Sequence, residues 1–147
     1  MTERTAPSVS EREVQPLPFL FALILAPLTV GLPAWGLLWL GSQVDAPGVG
    51  LLIIAAFPAV AVVMGAPTYL LLGGPAFWFA LKRNMSIPLT ALSTNFVSLP
   101  LVAGLFALLP SAWDIGTTLL VYGGLGSIFA PMWGAIFFNL YNRFRRA

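Results

Sequence analysis

The sequence predicts an all-α membrane protein: a four-transmembrane-helix bundle with Pro/Gly-kinked helices. Of its 147 residues 59% are hydrophobic and only 8% are charged, and its mean hydropathy is +0.90. Soluble domains normally carry about a quarter charged residues, so lipid is the expected solvent. Each apolar run is long enough for the roughly 20 residues of one crossing. The predicted spans cover residues 19–40, 51–72, 89–109 and 115–138.

The chain before the first span, residues 1–18, is predicted to be a flexible cytoplasmic tail. Ser, Thr, Pro and mixed charges occur there without apolar periodicity. The apolar run that follows is too long for the core of a signal peptide, so we expect it to be retained as a span. Pro27 and Pro33 predict kinks in this helix. Trp35 and Trp39 near its end are typical of the membrane interface.

The second hydrophobic run begins at Leu51 and has no charged residue before Lys82. It is about ten residues longer than one crossing needs. In one interpretation the span stops at the Gly-Gly pair 73–74. Residues 75–81 then form a helix in the interface, with the aromatic residues 77–79 toward lipid headgroups. In the other, Gly-Ala-Pro at 65–67 breaks the span into half-helices that bind a substrate. We favour the first, because the second needs a polar cavity for which the sequence has few residues.

The third span is the most polar of the four. Thr90, Thr94 and Ser98 recur every four residues and therefore share one helix face, with Asn95 beside them. Interhelical hydrogen bonding is the simpler explanation for such a stripe. The alternative is the polar lining of a pore or substrate site, completed by the second span. The candidate lining residues are Thr90, Thr94, Asn95, Ser98, Thr68 and Tyr69.

The fourth span contains two rows of small residues spaced four apart. Small side chains let another helix backbone approach closely, so this face is predicted to pack against a helix. The spacing does not distinguish a neighbour in the same chain from a second copy. The predicted packing face consists of Gly123, Gly126, Ser127, Ala130 and Gly134.

The basic residues predict the orientation of the chain. If both termini are in the cytoplasm, all seven Lys and Arg residues lie inside. The only charged residues in the two outer loops are then Asp45 and Asp114. Residues 139–147 are expected to form a basic cytoplasmic tail. The charge pattern and the simplicity of the chain suggest a multi-pass protein of a bacterial inner membrane. The predicted topology and lipid anchors are Lys82, Arg83, Arg143, Arg145 and Arg146.

Composition excludes much chemistry. The chain has no Cys and no His, so a thiolate nucleophile, an imidazole base and the commonest metal ligands are missing. The predicted spans contain no charged residue, which argues against an ion-coupled carrier. Small four-span drug exporters are similar in size, but they are expected to carry a carboxylate in the first span, which this chain lacks. No cofactor or metal is predicted.

The leading hypothesis for function is a non-enzymatic accessory, assembly or scaffold component. It would act through helix–helix contacts of the small-residue face, as a homo-oligomer or in a hetero-complex with other membrane helices. The alternative is a small transport protein for a lipid or for an uncharged or apolar solute. The third hypothesis, a membrane enzyme, is supported only by the two acids in the predicted outer loops, Asp45 and Asp114. The bilayer is an expected partner and nucleic acid is not.

Overall fold

The computed structural model describes residues 13–43, 49–108 and 114–146, which are almost entirely helical. Four helical stretches are long and apolar enough to cross a membrane, which confirms the predicted all-α class and the number of spans. The helices are α1 (Pro16–Ser42), α2 (Val49–Thr68), a π-helical turn (Tyr69–Gly73), α3 (Gly74–Lys82), α4 (Ile87–Leu108) and α5 (Ile115–Phe144).

The bundle extends beyond the two predicted tail boundaries, residues 18 and 139. Before α1 begins, Val14 is already buried in the hydrophobic core, and the backbone N–H of Gln15 donates to the Tyr141 hydroxyl over 3.3 Å. At the other end α5 continues past residue 138, and Tyr141 is buried. Apolar side chains near both termini therefore contribute to the core. The predicted tail residues 1–12 lie outside the described part of the chain.

The second hydrophobic run forms one continuous helical stretch. α2 passes through Gly65-Ala66-Pro67 without ending, and the π-helical turn joins it to α3. In that turn the Gly74 N–H donates to the Tyr69 carbonyl, five residues earlier. A regular α-helix would bring the Pro75 ring against the Leu71 carbonyl, and the wider turn avoids this clash. Neither predicted break, at 65–67 or at 73–74, therefore interrupts the helical backbone.

α3 turns part of its aromatic surface toward the core. Phe77 is 0% exposed, and its ring centroid lies 5.4 Å from that of Tyr69 and 5.0 Å from that of Phe137. Phe79 is 49% exposed, with the Arg83 guanidinium 4.3 Å from its ring centroid. The predicted orientation of Phe77 toward lipid headgroups is wrong, because the helical repeat places this ring on the side of α3 that faces α5.

α4 covers the small-residue face of α5. A Cβ atom added to Gly134 would lie 3.2 Å from the Ile87 carbonyl oxygen and 3.2 Å from Pro88 Cα, at the start of α4. A Cβ atom on Gly123 would lie 3.6 Å from a methyl group of Leu99, further along α4. Besides α4, α5 contacts α1 and α2. The neighbour that the sequence did not identify therefore belongs to the same chain.

The described basic residues gather at one end of the bundle. A cavity of about 220 Å³ at this end is lined by residues just before α1 (Glu13), in the turn after α3 (Asn84) and just after α5 (Arg145). Both described chain ends consequently lie on the same side. The basic residues in this region are Lys82, Arg83, Arg143, Arg145 and Arg146. The remaining two, Arg4 and Arg12, lie outside the described residues.

Candidate functional site

A second cavity lies inside the bundle, between the α2–α3 stretch, α4 and α5. Its volume is about 50 Å³. A single water needs about 10–15 Å³, and an engineered cavity of about 150 Å³ holds benzene, so this cavity suits a few atoms. Most of its wall is apolar, and none of the described residues that line it is charged. The polar residues in the wall are Thr68, Tyr69, Thr94, Asn95, Ser98, Tyr122 and Trp133.

The structure brings five of the six candidate lining residues to this cavity and leaves Thr90 out. Thr90 borders a groove on the outer surface of α3 and α4, and its hydroxyl donates to the Ser86 carbonyl over 2.9 Å. Residues four apart on an α-helix differ by about 40° around its axis. Thr90 and Ser98 are therefore about 80° apart, so the row turns away from the cavity as it approaches the start of α4.

The Tyr122 hydroxyl connects the three walls of the cavity. It lies 2.5 Å from Thr68 Oγ1 on α2 and 3.1 Å from Ser98 Oγ on α4. Thr68 and Ser98 also donate to carbonyls of their own helices, those of Gly65 and Asn95. Part of the polar stripe on α4 is thus engaged in interhelical hydrogen bonding, the simpler of the two explanations for it.

Three buried side-chain polar atoms in the described part of the chain have no hydrogen-bond partner, and all three belong to the cavity wall. They are Tyr69 Oη, Asn95 Nδ2 and Trp133 Nε1. These residues are only 7%, 8% and 3% exposed. An unpaired buried polar group costs about 1–3 kcal/mol, or roughly 3–9 kcal/mol for three. That sum is comparable with the net stability of a small domain, so these atoms are expected to gain partners from water or a solute in the cavity.

Two glycines make room for the unpartnered side chains. A Cβ atom on Gly126 of α5 would overlap the Asn95 carboxamide, coming within 2.6 Å of Nδ2. A Cβ atom on Gly65 of α2 would lie 3.1 Å from the Trp133 ring. The Trp133 ring meets the Tyr69 ring edge to face, with centroids 5.4 Å apart. Close approach of the helix backbones thus lets large polar side chains fit inside the bundle.

The π-helical turn begins at Tyr69, one of the residues with an unpartnered atom. Tyr69 and Gly73, at the two ends of the turn, both line the cavity. Turns of this kind are rare, and they occur frequently at functional sites. The deviation from regular α-helix therefore coincides with the cavity.

Tyr122 and Trp133 belong to the site although the sequence interpretation did not select them. Aromatic residues in membrane helices were expected at the interfaces, as for Trp35 and Trp39, both of which are exposed. Their positions in the sequence could have identified them, because both Tyr122 and Trp133 lie several residues inside a predicted span. A polar aromatic side chain at that depth needs a hydrogen-bond partner in the protein or in a ligand.

Asp114, one of the two acids predicted in the outer loops, has a structural role. Its carboxylate caps the start of α5 by accepting the Thr117 backbone N–H over 2.9 Å and the Thr117 hydroxyl over 2.5 Å. These hydrogen bonds, that of the Thr117 side chain foremost, lower the pKa of Asp114. Asp45, its partner in the enzyme hypothesis, lies outside the described residues.

Comparison of this chain with protein-family models, with curated proteins and with solved structures finds no match. Its four apolar helices are those of an integral membrane protein. The polar cavity inside the bundle is the feature from which a more specific function can be argued.

Proposed function

We propose that this protein is a small membrane transport protein that binds an uncharged solute in the cavity between α2, α4 and α5. The observation that carries the proposal is the convergence of three buried, unpartnered polar atoms, on Tyr69, Asn95 and Trp133, in one cavity wall. A binding site in a membrane bundle is typically concave and mostly apolar, with a few polar groups that orient the ligand. This cavity has that composition.

The chemistry of the wall supports an uncharged solute. The described lining residues carry no formal charge, and an ion in the bilayer interior would lose its hydration without gaining a counter-charge. The volume of about 50 Å³ supports a small solute over a lipid. The proposal assigns no chemical reaction to the site.

The scaffold hypothesis has less support than transport. In that hypothesis the protein binds its partner through the small-residue face of α5. However, α4 of the same chain covers Gly123, Gly126 and Gly134 on that face. A partner protein would have to use another surface of the bundle.

Loss of the Asn95 amide is expected to slow solute entry about tenfold, since one hydrogen bond of about 1.4 kcal/mol is removed. The measurement is stopped-flow light scattering of proteoliposomes that shrink and re-swell in formamide, urea or glycerol. Asn95→Leu is compared with Asn139→Leu, the same substitution at an exposed position whose Nδ2 donates to the Ala135 carbonyl of its own helix.

The Asn139→Leu protein should transport like the wild type. Trp133→Phe removes a second unpartnered donor with little change of shape, so it separates loss of the site from misfolding. If liposomes with the wild-type protein re-swell no faster than protein-free liposomes in all three solutes, the transport function is contradicted. Equal rates in the wild type, Asn95→Leu and Trp133→Phe would place any transport elsewhere.

We also propose that the basic end of the bundle is cytoplasmic and that the protein belongs to a bacterial inner membrane. Lys and Arg favour the cytoplasmic side and contact anionic headgroups there. Because the chain has no Cys, Ala147→Cys introduces a single thiol. A membrane-impermeant thiol reagent is expected to label it in inverted vesicles and not in intact cells. Labelling in intact cells would show that the basic end does not face the cytoplasm and would contradict the proposed orientation.

A further inference from the structure

We infer that the solute is a small neutral carbonyl compound, whose oxygen accepts hydrogen bonds from Asn95 Nδ2 and Trp133 Nε1. This inference rests on the proposed function and adds the chemistry by which the same site selects its ligand.

Two of the three unpartnered atoms can only donate. The carboxamide nitrogen of Asn95 and the indole nitrogen of Trp133 are donors without acceptor capacity, and the Tyr69 hydroxyl can do either. The unpartnered set therefore contains no atom that can only accept. A ligand that satisfies it must bring acceptor lone pairs, and a ligand with donors alone would leave both nitrogens unpaired.

The two donors come from different helices. Asn95 is on α4 and Trp133 is on α5, and both line the same cavity. A carbonyl oxygen has two lone pairs near the plane of its substituents, so one oxygen can accept from donors on two sides. A carbonyl also carries a large partial negative charge without a net charge, which suits a wall whose described residues are uncharged.

The size of the cavity limits the rest of the molecule. Benzene, with six heavy atoms, occupies a cavity of about 150 Å³, so about 50 Å³ accommodates two or three heavy atoms. The unpartnered atoms are themselves covered by neighbouring groups, so wall side chains must move apart as the solute reaches them. Met64 is half-buried in the wall, and its unbranched thioether chain adapts readily to such a change.

The test compares three probes that share one planar three-atom skeleton: formamide, propene and the formamidinium cation. Formamide has a carbonyl oxygen, propene has no polar atom, and formamidinium has donors only. The full chain is labelled with ¹⁵N-tryptophan in lipid nanodiscs, and its Trp133 indole resonance is assigned by its loss in Trp133→Phe. Trp35 and Trp39, both exposed near the end of α1, serve as internal controls.

We expect formamide to shift the Trp133 indole proton downfield in a saturable way and to leave the Trp35 and Trp39 indole resonances in place. Propene and formamidinium should produce no saturable shift at Trp133. In Asn95→Leu the apparent affinity for formamide should fall about tenfold, the loss of one hydrogen bond. An unchanged indole signal of Trp78, whose ring packs against the core with its centroid 5.0 Å from that of Phe19, shows that this variant remains folded.

Several results would overturn the inference. Saturable binding of propene as tight as that of formamide would mean that the cavity selects by shape, and binding of formamidinium would mean that it offers acceptors. No formamide shift, together with solute entry in the liposome assay, would refute the carbonyl contact and leave transport intact. A formamide shift without solute entry would support the contact and refute transport.

Discussion

Replacement of Gly126 by Leu is expected to destabilise the folded bundle by at least about 3 kcal/mol, because over-packing in a well-packed core typically costs 1–3 kcal/mol and occasionally more. Even the first added carbon, Cβ, would overlap the Asn95 carboxamide. Reversible unfolding in mixed micelles, with increasing sodium dodecyl sulfate, measures the change.

Gly124→Leu is the matched control for this prediction. Gly124 is two residues away on the same helix and exposed, and nothing lies within 4 Å of a Cβ atom added there. It should unfold at the wild-type detergent concentration or above it, since Leu has a better helix propensity than Gly. Equal destabilisation by both substitutions would show that the loss arises from the α5 backbone and not from contact with Asn95.

A double-mutant cycle tests the contact directly. Asn95→Ala removes the carboxamide that an added side chain at Gly126 would strike. We therefore expect the double variant to be more stable than the sum of the single effects predicts, with a coupling of about 0.5–3 kcal/mol. Native mass gives a second readout. If Gly126→Leu lowers the oligomeric mass but leaves unfolding unchanged, this face binds another copy and α4 is not its main neighbour.

Truncation of Phe77 to Ala is expected to cost about 3–5 kcal/mol, the range for a fully buried Phe. The ring is 0% exposed, lies between Tyr69 and Phe137, and forms part of the cavity wall. In lipid the lost free energy is mainly that of packing contacts, because the bilayer is itself apolar. The value should therefore fall in the lower half of this range.

Phe79→Ala provides the comparison, two residues further along α3. Its ring is half exposed and contacts the Arg83 guanidinium. Exposed cation–π contacts contribute about 0.5–1 kcal/mol, so the unfolding free energy should change by no more than this. If Phe79→Ala were the more damaging substitution, the predicted interfacial orientation of residues 77–79 would be correct and the burial of Phe77 wrong.

Composition and hydropathy were sufficient for the class of fold. A chain with so few charges must satisfy its backbone hydrogen bonds internally in lipid, and helices do this within one segment. That requirement and the length of the apolar runs predict helices, and the count of such runs predicts four spans. The helix ends were less predictable, because the burial of Val14 and Tyr141 depends on contacts between the two ends of the chain.

The candidate site was predictable only in part. Thr94, Asn95 and Ser98 were recognisable as polar residues in an apolar span, and Thr68 and Tyr69 as their possible counterparts. The site also contains residues for which the sequence suggested other roles. Aromatic residues such as Trp133 are typical of the membrane interface, and the spacing around Gly126 predicts only a face that packs against some helix. Both residues line the cavity.

Composition and spacing were sufficient to predict that this protein is all-helical, that four of its helical stretches are long and apolar enough to cross a membrane, and that its last helix has small residues on one face. Each of these properties follows from composition or spacing along one segment. Three further features became visible only in the packed bundle: α4 covers this face, a π-helical turn precedes Pro75, and Asn95 and Trp133 share one cavity. The reason is that helical spacing specifies which residues share a face, whereas the neighbour of that face depends on how all the helices fit together.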